Sequence, residues 1–481
     1  MSDIQKKIDR LHIKADKKQQ KLHIKAEKQQ EKYRIKEEKL KQKLGNADNK
    51  SSYTNSEPVE LPKWDRLDNT AHLFPVIAGE HMTNVYRMCV VLSEPIVAKY
   101  LDLAINKLLP WFQNFNSVLR QGMFWYYFEE NSKPYPPVSE EHTFPCQYFA
   151  PNANRDYLFR VSYYDCRINL EVFHVLTDGS GARNFLRELV YQYLGYAHPE
   201  LVEGSKQQLS SETSLNIEDS FEKNYRNYNF MAYKSETAYL IKGTYLKDHQ
   251  MGIIRGKMKI SDIKAASKKY DATLNEFIVA LVVFGIYRGA LHKGSSRQPI
   301  TVGVPVDLRP YFNSDTTKNF FVMVSAKFHP LKEQEYHFED IIKEIKESLR
   351  AQITKDNLEK VFSFTVGNEK IFVLRTIPLI FKRMGIKAFY KGAARKNTTT
   401  VTNIGTIDIK APYKQYVKDY YCFLSRSYGQ DIKASIASYD EYLSVTFSSV
   451  LEDTSIQREF FRKLSREGID VTIESNGVYY G

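Results

Sequence analysis

The run HVLTDGSG, from His174 to Gly181, sets an imidazole four residues ahead of a carboxylate and follows both with two glycines. An imidazole titrates near neutrality and can take the proton of a hydroxyl as its oxygen attacks a carbonyl, so His174 is the candidate general base. Asp178 is spaced to be an ion-pair partner that fixes the turn. Gly179 frees backbone N–H groups for close approach to a ligand. A core histidine satisfied by its neighbours gives the same pattern. Spacing alone does not choose between them, because His12 and Asp16 repeat it inside a charged segment where no pocket can form.

The surrounding residues say how such a histidine would be held. Ile168, Leu170 and Val172 alternate with Arg167, Asn169 and Glu171, the period of a half-buried strand, and His174 continues the buried phase. Thr177 to Gly181 reads as a turn. Phe185, Leu186, Leu189, Val190 and Leu194 then follow a helical period, so the N-terminus of a helix faces the region that the strand delivers His174 to.

Other chemistries find little support. No serine lies in a G-x-S-x-G elbow and no G-x-x-x-x-G-K-[ST] phosphate loop occurs, which disfavours hydrolases and nucleotide-dependent ligases. Cys89, Cys146, Cys166 and Cys422 show no C-x-x-C spacing, so no metal site and no disulfide framework is expected. Charged residues make up 26% of the 481 and hydrophobic ones 42%, the profile of a globular chain long enough for two domains. The charged start MSDIQKKIDR lacks the apolar stretch of a secretory signal, so export by that route is not expected. The longest apolar run, Phe277 to Tyr287, falls short of the roughly 20 residues a membrane span needs and predicts a buried helix. A cytoplasmic protein without a transmembrane segment is expected.

Residues 1–45 differ from the rest. LHIKADKKQQK, LHIKAEKQQEK and YRIKEEKLKQK, starting at Leu11, Leu22 and Tyr33, repeat at a spacing of 11. Ile4, Ile8, Leu11, Ala15, Leu22, Ala26, Tyr33, Leu40 and Leu44 share one stripe of a continuous helix, while Ile13, Ile24 and Ile35 lie opposite. With 15 Lys and Arg against 7 Asp and Glu, this arm carries +8 of the chain's +12. It reads as a solvated or self-associating coil, or as an arm drawn to an anionic membrane or polymer. Its bases alternate with acids rather than aromatics, so no nucleic-acid partner is expected. A polar linker spans 46–62. The body divides into an N-terminal lobe, 63–245, and a C-terminal lobe, 246–481, with a surface loop at Gly204 to Ile217 and the boundary near Gly243 to Gly252.

HVLTDGSG resembles the HxxxDG signature of the acyl-CoA-dependent acyltransferase superfamily, which includes chloramphenicol acetyltransferase, alcohol acetyltransferases, wax ester synthases and peptide-synthetase condensation domains. TLNEFIVALVVFGIYR from Thr273, VPVDLRPYFNSDTTKNFF from Val304 and TNIGTIDI from Thr402 resemble further elements of the superfamily in the same order. Phe173 stands where condensation domains and wax ester synthases carry a second histidine, and Lys318 where a glycine often precedes the asparagine. No Asp-Phe-Gly-Trp-Gly run occurs. The likeness is strongest to bacterial proteins of the alcohol acetyltransferase type.

The resemblance implies an α/β fold of two chloramphenicol-acetyltransferase-like lobes, each a mixed sheet with helices, enclosing a central channel that donor and acceptor enter from opposite faces. It implies transfer of an acyl group, by this likeness acetyl, from acyl-CoA to a hydroxyl acceptor in a ternary complex. His174 would be the base, with no tightly bound cofactor, metal or covalent intermediate. Asp178 would pair with Arg309, Gly179 would let the backbone approach the thioester, and Asn319, Thr402 and Asn403 would lie in the substrate or oxyanion region. For Thr402 and Asn403 a capping or turn role is as compatible with the residue types. Two other uses of the fold stay open. One is a catalytically silent binding protein; the other is a condensation or wax-ester type of transferase acting on a lipid or carrier-bound substrate.

Overall fold

The computed structural model describes residues 64–480 apart from 151, 202–208, 229–235, 248–249, 332–333 and 371–375. The basic arm, the linker and the first part of the loop at Gly204 to Ile217 lie outside the described residues.

Two mixed sheets flanked by helices carry the chain. The first has the order Val417–Leu424, Val85–Leu92, Arg167–Phe173, Phe159–Tyr164, Ser139–Glu140, antiparallel except for its last pair. The second has seven strands in the order Phe321–Phe328, Ile300–Asp307, Thr399–Thr406, Ile432–Tyr439, Tyr442–Ser449, Gly252–Lys259, Thr472–Ser475. A separate smaller sheet of Trp64–Arg66, Tyr126–Glu130 and Ser117–Gln121 contributes Tyr126 and Phe128 to the core beneath the first. Each lobe has its own core. One gathers Met88, Leu170, Phe185 and Leu189; the other gathers Phe277, Val302, Phe320 and Val445. The two-lobed α/β architecture expected from the sequence is the one found.

The strand Val417–Leu424 lies in the C-terminal half of the sequence yet pairs along its length with Val85–Leu92 of the first lobe. A division of the sheets at 245/246 is therefore crossed by this strand. A small cluster of Val85, Cys89, Cys146, Met251, Ile253 and Phe423 packs the two lobes together behind it.

The strand Arg167–Phe173 departs from the half-buried reading. Its polar face is buried too, with Asn169 0% and Glu171 1% exposed. Charges survive there because they are paired across strands: Glu171 accepts from Arg87 at 2.7 Å and from Arg160 at 2.5 Å, and Glu141 pairs with Arg87 and Arg167. The Arg87 and Arg160 guanidiniums hold the Glu171 carboxyl below its ordinary range against the opposing effect of burial. The apolar run Phe277 to Tyr287 lies in the helix Leu274–Gly289, closed at its start by a Thr273–Glu276 capping box and buried on all sides. Among the described residues no single helix is long and apolar enough to cross a membrane.

Candidate active site

The strand Arg167–Phe173 ends one residue before His174, whose backbone N–H donates to Asn84 O at 2.9 Å. The helix Gly179–Ala197 follows, with Asp178 as its N-cap: Asp178 Oδ1 accepts from the N–H of Ser180 and of Gly181 at 3.0 and 3.2 Å. Thr177 Oγ1 donates to Thr317 O at 2.5 Å, tying the turn to the second lobe. The expected strand, turn and helix thus carry the histidine, and apolar Phe185, Leu186, Leu189, Val190 and Leu194 are all buried.

Asp178 and Arg309, 131 residues apart, meet as a bidentate pair. Arg309 Nη1 and Nη2 donate to Asp178 Oδ2 and Oδ1, each at 3.0 Å. The remaining guanidinium donors go to Asp307 Oδ1, Thr316 O and Lys318 O at 2.9, 2.8 and 2.7 Å, so all five are used. Asp178 Oδ2 also accepts from Phe320 N at 2.8 Å. The Asp178 and Asp307 carboxylates hold the Arg309 guanidinium more firmly charged than its ordinary state, although burial opposes them.

His174 rests in an aromatic setting of Phe74, stacked at 4.5 Å between ring centroids, Tyr86 edge-on at 5.1 Å and Phe321 at 5.5 Å. Its Nδ1 lies 3.1 Å from Asn319 Oδ1. The direction of that bond follows from the far end of the amide. Asn319 Nδ2 donates to buried Asp68 Oδ2 at 2.9 Å, and Asn319 N donates to the same oxygen at 3.2 Å. With its NH2 group facing a carboxyl oxygen, Asn319 presents Oδ1 to the ring, and an acceptor there requires the proton on Nδ1. Nε2 is left as the basic nitrogen. Burial lowers the His174 pKa and so favours the neutral ring, while its own backbone carbonyl, Asp178 and Asn319 act the other way. Burial pushes the Asp68 carboxyl up to about 7.

The cavity at His174 is lined from both lobes, by Tyr86, Asp178, Gly179, Ser180 and Leu424 together with Pro305, Phe321, Thr402, Asn403 and Ile404. A second cavity between the lobes is lined by Thr83, Cys146 and Tyr148 on one side and Tyr245, Met251 and Arg426 on the other. Thr402 is buried on the wall of the first. Asn403 is engaged as a turn residue, its Oδ1 accepting from Gly405 N and its Nδ2 donating to Asn275 Oδ1, both at 2.9 Å. Asn319 is engaged at both ends of its amide and does not line the cavity, so it meets the base in place of the substrate.

The two motif glycines do different work. A Cβ on Gly179 would stand 2.5 Å from Ile404 Cδ1, the tip of a side chain that can turn aside. A Cβ on Gly181 would stand 2.0 Å from Thr177 Oγ1 and 2.4 Å from the backbone oxygen of Thr317. Gly181→Ala is therefore expected to destabilise the protein by about 1–3 kcal/mol, as overpacking does, and Gly179→Ala by less. Thermal unfolding of the two variants side by side checks the order; equal melting temperatures would show that the turn yields freely.

Asp68, Tyr86, Phe74 and Gly181 are site residues that sequence reasoning did not single out. Gly181 was within reach, as the second glycine of the motif. Asp68, a loop carboxylate three residues after Asp65, carries no local signal.

No family model matches the sequence, and no curated protein matches it. Solved structures do. F. sporotrichioides TRI101 complexed with coenzyme A and T-2 superposes with a TM-score of 0.58 at 9% identity, covering 85% of this chain and 99% of that one. The trichothecene 15-O-acetyltransferase TRI3 of Fusarium sporotrichioides gives 0.55 at 12% identity, covering 84% and 94%. The starter condensation domain of rhizomide synthetase RzmA, in complex with C8-CoA and Leu-SNAC, gives 0.52 at 11% identity, covering 83% and 93%. The fold is that of the acyltransferases and condensation domains. In an acyltransferase fold the cavity at His174 lies where the two lobes meet, and both lobes build its wall.

Proposed function

We propose that the protein is an acyl-CoA-dependent O-acyltransferase in which His174 is the general base. The observation that carries this reading is the string Asp68, Asn319, His174, which fixes the proton on Nδ1 and leaves Nε2 basic on a residue lining a two-lobed cavity. Nε2 takes the hydroxyl proton as the acceptor oxygen attacks the thioester carbonyl. The carbon–sulfur bond then breaks, and the proton passes to the departing coenzyme A thiolate. Coenzyme A brings the activated acyl group, so positioning and a base are what the chain must supply. Arg309 and Asp178 hold the turn that aims His174, and Thr402, with its hydroxyl-bearing side chain on the cavity wall, is assigned to the developing oxyanion. An acetyl group and an alcohol or other hydroxyl acceptor are the substrates proposed, from the likeness to alcohol acetyltransferases. Phe173, in place of a second histidine, argues against a condensation or wax-ester reaction.

Release of free coenzyme A from acyl-CoA, followed by a thiol reagent across a panel of hydroxyl acceptors, tests the reading. Acceptor-dependent release is expected. Release indifferent to every acceptor would make the protein a thioesterase, and saturable acyl-CoA binding without any release would make it a binding protein.

A further inference from the structure

The helix Leu379–Ala394 turns an apolar face to solvent. Ile380, Phe381, Met384 and Phe389 are 67%, 64%, 72% and 77% exposed. Single exposed apolar residues are ordinary, but these fall on one arc: at 3.6 residues per turn Ile380, Met384 and Ala388 form one row and Phe381, Gly385 and Phe389 the next. Beside the start of the helix lies the turn that joins the strands Ser117–Gln121 and Tyr126–Glu130. Leu379 N donates to Met123 O at 2.8 Å and Lys382 Nζ to Phe124 O at 3.1 Å. Met123 and Phe124 are themselves 54% and 38% exposed, so six large apolar side chains from two adjoining elements form one patch.

Along the helix itself the charge has a single sign. Lys387, Lys391 and Arg395 recur every four residues along the edge of the apolar rows, exposed, and none of the three makes an ion pair among the described residues. Between residues 376 and 407 the sequence has six Lys and Arg and no Asp or Glu. Protein interfaces are depleted in lysine, whereas a lipid surface takes Phe, Ile and Met into the acyl boundary and meets Lys and Arg with anionic headgroups.

We propose that this helix and the Met123–Phe124 turn dock the protein on an anionic phospholipid bilayer. The inner side of the helix, through Leu379, Ile386 and Tyr390, packs on the first-lobe core and against the short helix Phe74–Ile77, whose Phe74 ring stacks on His174. Docking here sets the cavity at His174 one helix away from the lipid surface. The inference stands apart from the proposed reaction, because it is read by binding and not by turnover.

The test is co-sedimentation of the full chain with phosphatidylcholine vesicles, with and without phosphatidylserine. Parent protein is expected to partition onto the phosphatidylserine vesicles and to be released by salt. Met384→Glu with Phe389→Glu is expected to lower the partition coefficient at least about tenfold, and Lys387→Glu with Lys391→Glu similarly. All four positions are exposed, and an unchanged melting temperature reports that the fold is kept. Equal binding to pure phosphatidylcholine, or both variants binding like the parent, would overturn the proposal. So would an absence of vesicle binding combined with concentration-dependent self-association that Met384→Glu with Phe389→Glu abolishes, since the patch would then be a contact between copies of the chain.

Discussion

His174→Ala is expected to leave the protein folded and to lower acyl transfer by at least about a hundredfold, the lower scale for a lost general base. The fold should survive because the strand and turn are held by groups other than the imidazole: Asp178, Arg309, Thr177 and the backbone N–H of His174 itself. His174→Gln should fall as far, since it keeps size and loses basicity. The pH dependence has a definite sign. The neutral ring is the active form, and burial lowers its pKa below the ordinary 6.5, so the titration of His174 itself should lower kcat/KM only on the acid side of that value. A folded His174→Ala protein that turns over at near the parent rate would remove the base assignment.

The same experiment extends to Asp68, which does not touch the ring. With Asp68→Ala the Asn319 amide loses the acceptor that orients it and is free to turn its NH2 group toward Nδ1. The proton would then move to Nε2, and the base would be lost with the imidazole still in place. Nitrogen NMR of His174 distinguishes the two tautomers without recourse to activity. An unchanged Nδ1–H tautomer in the variant would show that the backbone carbonyl of His174 suffices and that Asp68 has no positioning role.

How far the site was legible follows from where its parts lie in the sequence. His174, Asp178 and the two glycines fall within eight residues, and alternation on one side with a helical period on the other fixes the strand, turn and helix that carry them. Arg309 came within reach only through the order of segments shared with a superfamily, since nothing local marks one arginine among many. Asp68 gave no signal because its partner is 251 residues away. Glu171 misled for a related reason. A charge alternating with apolar residues reads as a solvated face, whereas here Arg160 of the neighbouring hairpin strand and Arg87, 84 residues earlier, pair with it and allow its burial. The crossing strand Val417–Leu424 shows the same limit, as its period is that of any buried strand and its pairing partner lies more than 300 residues earlier. Residues in the helix Leu379–Ala394 were legible as sequence but not as surface. Ile380, Phe381, Met384 and Phe389 would be core residues in most helices, and only the packing shows that this face has no neighbour among the described residues.

Asp178 and Arg309 offer the test of whether both halves of the chain build one site. Their side chains are 8% and 11% exposed, so solvent does little to compensate either charge once its partner is gone. Loss of either partner should cost on the order of 3 kcal/mol. The two losses are not equivalent. Arg309→Ala leaves the Asp178 carboxylate with the N–H groups of Ser180, Gly181 and Phe320. Asp178→Ala strips those three donors of their acceptor, removes the N-cap of the helix Gly179–Ala197, and leaves the guanidinium with Asp307 as its one carboxylate. Asp178→Ala should therefore be the worse of the two. The double variant no longer contains the stranded charge, so it should be little less stable than Asp178→Ala alone, a strong departure from additivity. Activity should fall with stability in all three, because the turn that the pair holds also carries His174. Denaturant unfolding of the two singles and the double measures the coupling directly. Stabilities that simply add would mean that the pair is not formed in solution, and the assignment of His174 to a site built by both lobes would fall with it.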